Sequence, residues 1–174
     1  ETGEIMVARA NAHIRYPCRF LLVAAANPCK CGYMSDPARA CAKVPLCGED
    51  YLGRISGPLM DRFDLRVEVP PVAYTDLDLP PSGDTSATVA ARVATARNFQ
   101  LARFKAHANV TVNADMEGSL LEQVASPDAE GRALLARVAE RFGLSARGYH
   151  RVLRVARTIA DLDGSDSVRL PHIA

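Results

Sequence analysis

Tryptophan is absent, and aromatic residues of every kind make up only 6% of the 174 positions. So sparse a set argues against a surface that stacks single-stranded bases on many rings. An excess of one charge is missing too: 21 Lys and Arg stand against 20 Asp and Glu, a net +1. The chain as a whole is no polycation, and any nucleic-acid contact has to come from local patches. No apolar run is long enough to span a bilayer; the longest, Phe20 to Ala26, has the length of a buried strand. No charged segment followed by an apolar one marks a secretory leader, and no membrane partner is expected. Cysteine is missing from most of the chain, all five falling between Cys18 and Cys47. A disulfide-stapled secreted domain spreads its cysteines, so the clustering points to a cytoplasmic protein with one local metal or thiol feature. No initiator Met precedes Glu1-Thr2-Gly3, and the sequence reads as a fragment of a longer protein.

What is present is a core: 48% of residues are hydrophobic, enough for one medium domain or two small ones. Ile5 to Ala10 and His13 to Tyr16 read as a hairpin around Asn11-Ala12. Phe20 to Ala26 is continuously apolar, as in a strand buried on both faces of a parallel sheet, and it ends at Asn27-Pro28 because proline stops the ladder. A Gly- and Cys-containing loop follows to about Gly48, then a short helix over Tyr51 to Met60 with Pro58 as an irregularity. Leu65 to Val69 alternates like a strand and stops at Pro70-Pro71. The Pro- and Gly-containing stretch from Asp76 to Ser86 reads as a linker. Beyond it, helical spacing predicts helices from Ala87 to about Lys105, on Val89, Val93 and Ala96. The next runs from Asp128 to Phe142, on Leu134, Leu135, Val138 and Phe142. The last runs from Ser145 to Leu162, on Val152, Val155, Ala156 and Ile159. Ser145 caps this last helix and Asp163-Gly164 stops it.

Three places carry candidate chemistry. Asn27 sits at the end of the buried run, where open parallel sheets bind ligands; alone it is equally a turn-forming residue before proline. Arg62 lies in Ser56-Gly57-Pro58-Leu59-Met60-Asp61-Arg62-Phe63-Asp64. An arginine there either pairs with Asp61 or Asp64, worth little if exposed, or reaches a phosphoryl group in a neighbouring subunit. Arg147, Arg151 and Arg154 share one face of the last helix, opposite Val152, Ala156 and Ile159. Arg147 falls in the first turn, where a cation opposes the helix dipole and a phosphate would remove the conflict. A solvated basic face is the ordinary alternative.

In this order and spacing, Tyr16-Pro17-Cys18-Arg19-Phe20, Asn27-Pro28-Cys29-Lys30-Cys31-Gly32, Tyr51 to Pro58, Asp61-Arg62-Phe63-Asp64 and Arg154 to Leu162 resemble the competence-protein (ComM, YifB) branch of the magnesium-chelatase-like AAA+ ATPases. The likeness covers almost the whole chain apart from the linker near Pro80. It implies an α/β fold class: residues 1–75 as the C-terminal part of a AAA+ P-loop core with a parallel sheet, 76–86 as linker, and 87–174 as an all-helical lid. It implies that Ile5 to Tyr16 is the hairpin before sensor 1, that Asn27 is sensor 1, Arg62 the arginine finger and Arg147 the sensor 2 arginine. ATP and Mg²⁺ are the implied cofactors. A homo-oligomeric ring, by family habit a hexamer, is the implied assembly, and DNA the implied partner through helicase-like branch migration during uptake of foreign DNA. Arg9, His13 and Arg15 on the hairpin are then DNA-contact candidates, with a solvated strand face as the alternative for each.

The sequence departs from the family pattern in one respect. Neither a G-x-x-x-x-G-K-[ST] loop nor a Walker B acidic pair precedes the hairpin, so the chain alone is not expected to hydrolyse ATP. Two rival readings stand beside the DNA motor: a chelatase-type subunit driving metal insertion into a porphyrin, and a non-enzymatic, zinc-stabilised nucleic-acid-binding module. Zinc enters through Cys29, Cys31, Cys41 and Cys47, spaced C-x-C-x9-C-x5-C. Four thiolates can close a tetrahedral structural site, although the spacing lacks a C-x2-C pair and four reduced thiols in a loop remain the alternative. Cys18 reads as a small apolar packing residue.

Overall fold

The computed structural model of the chain describes residues 3–34, 36, 38–60, 62–80 and 83–174. Asp61, part of the arginine-bearing motif, lies outside the described residues. The chain divides into two compact units, Glu1–Ile55 and Ser56–Ala174.

The first unit opens with the hairpin. Strands β1 (Glu4–Arg9) and β2 (Ala12–Pro17) pair antiparallel, with Glu4 opposite Pro17 and Arg9 opposite Ala12. The turn therefore falls on Ala10-Asn11, one residue earlier than the sequence pattern suggests. Residues opposite one another share a face. Ile5, Val7, Ile14 and Tyr16 line one side, and each is at least 39% exposed.

The parallel sheet expected beyond the hairpin is not formed among the described residues: β1 and β2 make the one sheet. Phe20 to Ala26 is in neither helix nor strand, with Leu21 89% and Val23 84% exposed. Leu65 to Val69, in the second unit, is likewise in neither, with Val69 85% exposed. The physical reason is local. A strand buried on both faces needs a hydrogen-bonded neighbour on each edge and cover above and below, and the described residues supply neither. Helix α1 (Leu46–Leu52) starts earlier than expected and ends at Gly53. The single helix expected over Tyr51 to Met60 is thus two pieces, α1 and the short α2 (Gly57–Met60), with Pro58 in the first turn of α2, where it needs no donor.

The second unit is built on helices. After a 3₁₀ turn at Tyr74–Asp76 come α3 (Ser86–Phe104), a second 3₁₀ turn at Asn113–Asp115, α4 (Gly118–Ala125), α5 (Ala129–Phe142), α6 (Ala146–Leu162) and α7 (Leu170–Ile173). Three starts are capped as side-chain chemistry dictates: Thr85 accepts from the Thr88 N–H, Asp128 from Gly131 and Ser145 from Gly148. Helix α5 ends at Gly143, whose φ of 58° is the left-handed conformation glycine adopts at no steric cost. Helix α6 is the hub, packing on α3, α4, α7 and the second 3₁₀ turn. Phe104, Met116, Leu121, Ala125, Leu135 and Leu153 form the main core, and Ala156, Ala160 and Val168 a second cluster.

The buried stripes differ from those the apolar residues suggest. In α3 the buried positions are Ala96, Gln100 and Phe104. Val89 and Val93 lie upstream on the same helix and stay 44% and 46% exposed. In α5 Leu135 is buried, but Phe142 at the helix end is 67% exposed. In α6 the buried positions are Leu153, Ala156, Arg157, Ala160 and Asp161, while Ile159 is 38% exposed. A salt-bridged pair, not an isoleucine, completes the inward face.

Candidate functional site

The cysteine loop is where the first unit gathers chemistry. Cys29, Cys31 and Cys47 place their sulfurs within 4.8 Å of one another, Cys29 Sγ and Cys31 Sγ touching at 3.0 Å. Cys41, the fourth cysteine named from the sequence, lies outside this three-sulfur group but is close enough to perturb the Cys31 and Cys47 thiols. The Cys31 thiol falls to about 6, first through its hydrogen bond with Cys29 and then through the Tyr33 backbone. Cys47 is pushed up to about 12, first by its hydrogen bond with Cys41 and then by burial. Cys18 stands apart and is exposed, so it is not the packing residue that its apolar context suggests.

Two close approaches shape the loop. Gly32 turns with φ +81°, directly after Cys31. Gly48, buried in α1, faces the Asn27-Pro28 turn: a Cβ there would sit 3.3 Å from the Pro28 carbonyl oxygen and 2.5 Å from Met34 Sδ. A side chain there would make Met34 swing aside and the Pro28 carbonyl give by a few tenths of an ångström. Asn27 itself is exposed at the end of the apolar run.

In the second unit, Arg62 is exposed and donates through Nη1 to the Pro58 carbonyl at 2.9 Å. Asp64, weighed above as its partner, is instead taken by Arg151 of α6, at 3.1 Å, and Arg151 also donates to the Phe63 carbonyl. The helix thus grips the two residues that follow Arg62. Arg154 donates from Nε and Nη2 to the Met116 carbonyl, at 2.9 and 2.8 Å. The basic face of α6 is therefore only partly a solvated one. Arg147, in the first turn, is exposed, and Arg151 and Arg154 are half-buried. The hairpin candidates divide as well. His13 and Arg15 face the same side, with Arg15 3.9 Å from Glu4, whereas Arg9 projects from the opposite side.

A feature that apolar periodicity did not show is the buried cluster around Asp161. Arg157, at 1% exposure, donates to Asp161 and to the carbonyls of Ser165 and Asp166. Arg103 and Asn113 complete the shell of Asp161. The signal that could have found it is the i,i+4 pairing of Arg157 and Asp161 in register with Leu153, Ala156 and Ala160.

Two family models tile the chain. Residues 1–77 match magnesium chelatase, subunit ChlI, and residues 83–174 match its C-terminal part. The chain belongs to the magnesium chelatase ChlI family. Among relatives, competence protein ComM of Haemophilus influenzae is 38% identical over 175 residues, covering 100% of the chain and 33% of the relative. The uncharacterized protein YifB of Escherichia coli is also 38% identical, over 99% of the chain and 33% of the relative. An uncharacterized protein of Mycobacterium tuberculosis is 39% identical over 100% and 34%. The chain thus spans about a third of the length of these relatives. Membership brings a AAA+-related fold, in which a mixed helix and sheet chain with a small two-stranded sheet has its place. Among the described residues, no helix is long and apolar enough to cross a membrane.

Proposed function

We propose that the chain is the sensor, arginine-finger and lid portion of a ring-forming AAA+ ATPase, working within a protein about three times its length. The observation that carries this reading is the end-to-end match to relatives of that length, with both chelatase family models laid in order along the chain. In the longer protein, strands from the rest of the polypeptide would flank Phe20 to Ala26 and Leu65 to Val69 and bury the apolar side chains now exposed. Residues 1–75 are then core, 76–86 linker and 87–174 lid.

The donor set fits the outer contacts of a nucleoside triphosphate. Arg62 and Arg147 are exposed guanidiniums and Asn27 an exposed carboxamide, groups that donate to phosphate oxygens or orient a water molecule. The set lacks the phosphate cradle, since the chain has no Gly-Lys-Ser or Gly-Lys-Thr. Bound ATP with Mg²⁺ would supply the γ-phosphoryl group for transfer to water. Asn27 orients that water. Arg147 holds phosphate from the same subunit's lid. Arg62 reaches across the subunit interface and offsets charge on the departing group. A zinc ion on the cysteine loop completes the cofactors. The setting is cytoplasmic, and the assembly is a homo-oligomeric ring, taken as a hexamer.

The work done is DNA remodelling, a helicase-like branch migration. The relative named for competence favours it, and Arg9, His13 and Arg15 on the exposed hairpin are the contact candidates. A chelatase-type role, driving metal insertion into a porphyrin, is the second reading, favoured by the description of both family models. ATP turnover by the full-length protein, measured with and without branched DNA at rising salt, separates them. The motor reading expects DNA-stimulated turnover that weakens with salt as phosphate contacts are lost. Turnover indifferent to DNA at every salt concentration sinks it.

A further inference from the structure

We infer that Cys29, Cys31, Cys41 and Cys47 bind one zinc ion as four thiolates, and that this site holds Asn27 in place for catalysis. The metal half stands on the first unit alone; the Asn27 half rests on the ATPase reading.

The first argument concerns what the unit is made of. Among its described residues only Cys29 and Gly48 are buried, both at the cysteine loop. Its apolar side chains on the hairpin and in Phe20 to Ala26 face outward. A loop that winds from Asn27 to Leu46 without a core of its own needs another staple, and a structural metal is the usual one where thiols are reduced.

The second argument is the donor set. Three sulfurs, of Cys29, Cys31 and Cys47, lie within 4.8 Å of one another, and Cys41, which perturbs the Cys31 and Cys47 thiols from just outside that group, has only to swing in as the fourth ligand. Tetrahedral bonds of about 2.3 Å to one zinc ion put sulfurs about 3.8 Å apart. The cluster brackets that separation, the 3.0 Å contact of Cys29 with Cys31 needing only to open. A gathering this tight encloses one ion, whereas an iron–sulfur cage spreads its cysteines around several metal and sulfide atoms. Soft thiolates select zinc among the common divalent ions. Four protein ligands leave no open position, so the ion is structural.

The third argument ties the site to Asn27. Cys29 stands two residues beyond Asn27, and Cys47 is on the first turn of α1. Closing both onto one ion clamps the end of the apolar run against α1, at the contact where Gly48 meets Pro28. Cys31, Cys41 and Gly32 fold the intervening loop back. Asn27, exposed and outside any strand, takes its placement from this clamp, which makes the cysteines positioning residues.

The test uses the full-length protein, purified without chelator. Elemental analysis is expected to give about one zinc per chain, and cobalt substitution the visible absorption of a tetrahedral tetrathiolate site. No zinc, iron in its place, or a Cys29–Cys31 disulfide under non-denaturing isolation would overturn the metal half. For the second half, zinc is stripped by a chelator and then restored. Turnover is expected to fall about 10²-fold, the scale of a misplaced catalytic group, with KM for ATP and ring assembly unchanged, and to return with zinc. Unchanged turnover in the stripped protein, or turnover lost only because the ring comes apart, overturns the positioning role. Asn27→Ala separates the two failures. Full turnover in that variant sinks the ATPase role of Asn27 and with it the positioning half, while the zinc count still decides the metal site.

Discussion

Arg103 and Asp161, 58 residues apart in sequence, form a bidentate pair: Nη1 donates to Oδ2 at 2.9 Å and Nη2 to Oδ1 at 2.5 Å. The carboxylate also receives Asn113 at 2.8 Å and Arg157 at 3.1 Å. Helix α3, the second 3₁₀ turn and α6 therefore converge on one buried carboxylate. Removing it takes the one carboxylate from two guanidiniums, one of them fully buried, and leaves them only neutral acceptors: Asn113 for Arg103, the Ser165 and Asp166 carbonyls for Arg157. Asp161→Ala is expected to destabilise the helical unit by about 3–5 kcal/mol, the cost of breaking a buried pair on one side, read as a lower denaturant midpoint in urea.

The same carboxylate sets an acid limit. Burial, the largest influence, pushes Asp161 up, but hydrogen bonds from Arg103 and Asn113 and the charges of Arg157 and Arg103 outweigh it, and it ends below 3.8. A depressed folded value means the unfolded chain takes up the proton first. The contribution is full above about pH 4 and is lost as pH falls through the lowered folded value. Stability measured from pH 5 downward is expected to drop with a steeper slope in the native protein than in Asp161→Asn, which cannot titrate there. Equal slopes would remove Asp161 from the account of acid unfolding.

Helices α3, α5 and α6 were readable from their spacing, and the start of α6 from Ser145, because such signals act on their own neighbours; the short α4 was not read. The inward face of α6 was not, because apolar periodicity ranks Ile159 above Arg157, and only the distant partners Arg103 and Asn113 make burying a guanidinium tolerable. The same limit explains the sheet. Phe20 to Ala26 has the composition of a buried strand, but pairing is a property of two segments, and the described residues hold no second segment for it. Gathering of the cysteines followed from their proximity in sequence. Commitment of Arg151 and Arg154 to Asp64 and Met116 depended on tertiary contacts that a helical wheel does not contain.

Arg151 holds Asp64 and the Phe63 carbonyl, next to Arg62. Under the proposed function, Arg151→Ala is expected to lower turnover by less than Arg62→Ala does and to leave KM for ATP unchanged. Arg147→Ala should raise KM as well as lower turnover, since it touches phosphate in the ground state. Steady-state kinetics of the three variants in the full-length protein check this ordering.

On the hairpin, Arg15 and His13 share a face that Arg9 does not. If DNA runs along that face, Arg15→Ala weakens binding of any sequence and lowers the salt slope by about 1, while Arg9→Ala changes the slope less. Titrations of branched DNA at several salt concentrations give both slopes.

The most direct measurement is complementation between two inactive forms of the full-length protein. Arg62→Ala alone is expected to bind ATP normally and to lose turnover by about 10³-fold. A second form carries an inactivating change in its phosphate-binding loop and keeps Arg62. Mixed in one ring, some interfaces join an intact phosphate-binding loop to an intact Arg62, and activity is expected to return as the mixing ratio approaches equality. If the mixed rings stay as inactive as either parent, or if Arg62→Ala alone turns over ATP at the normal rate, Arg62 does not act across the subunit interface.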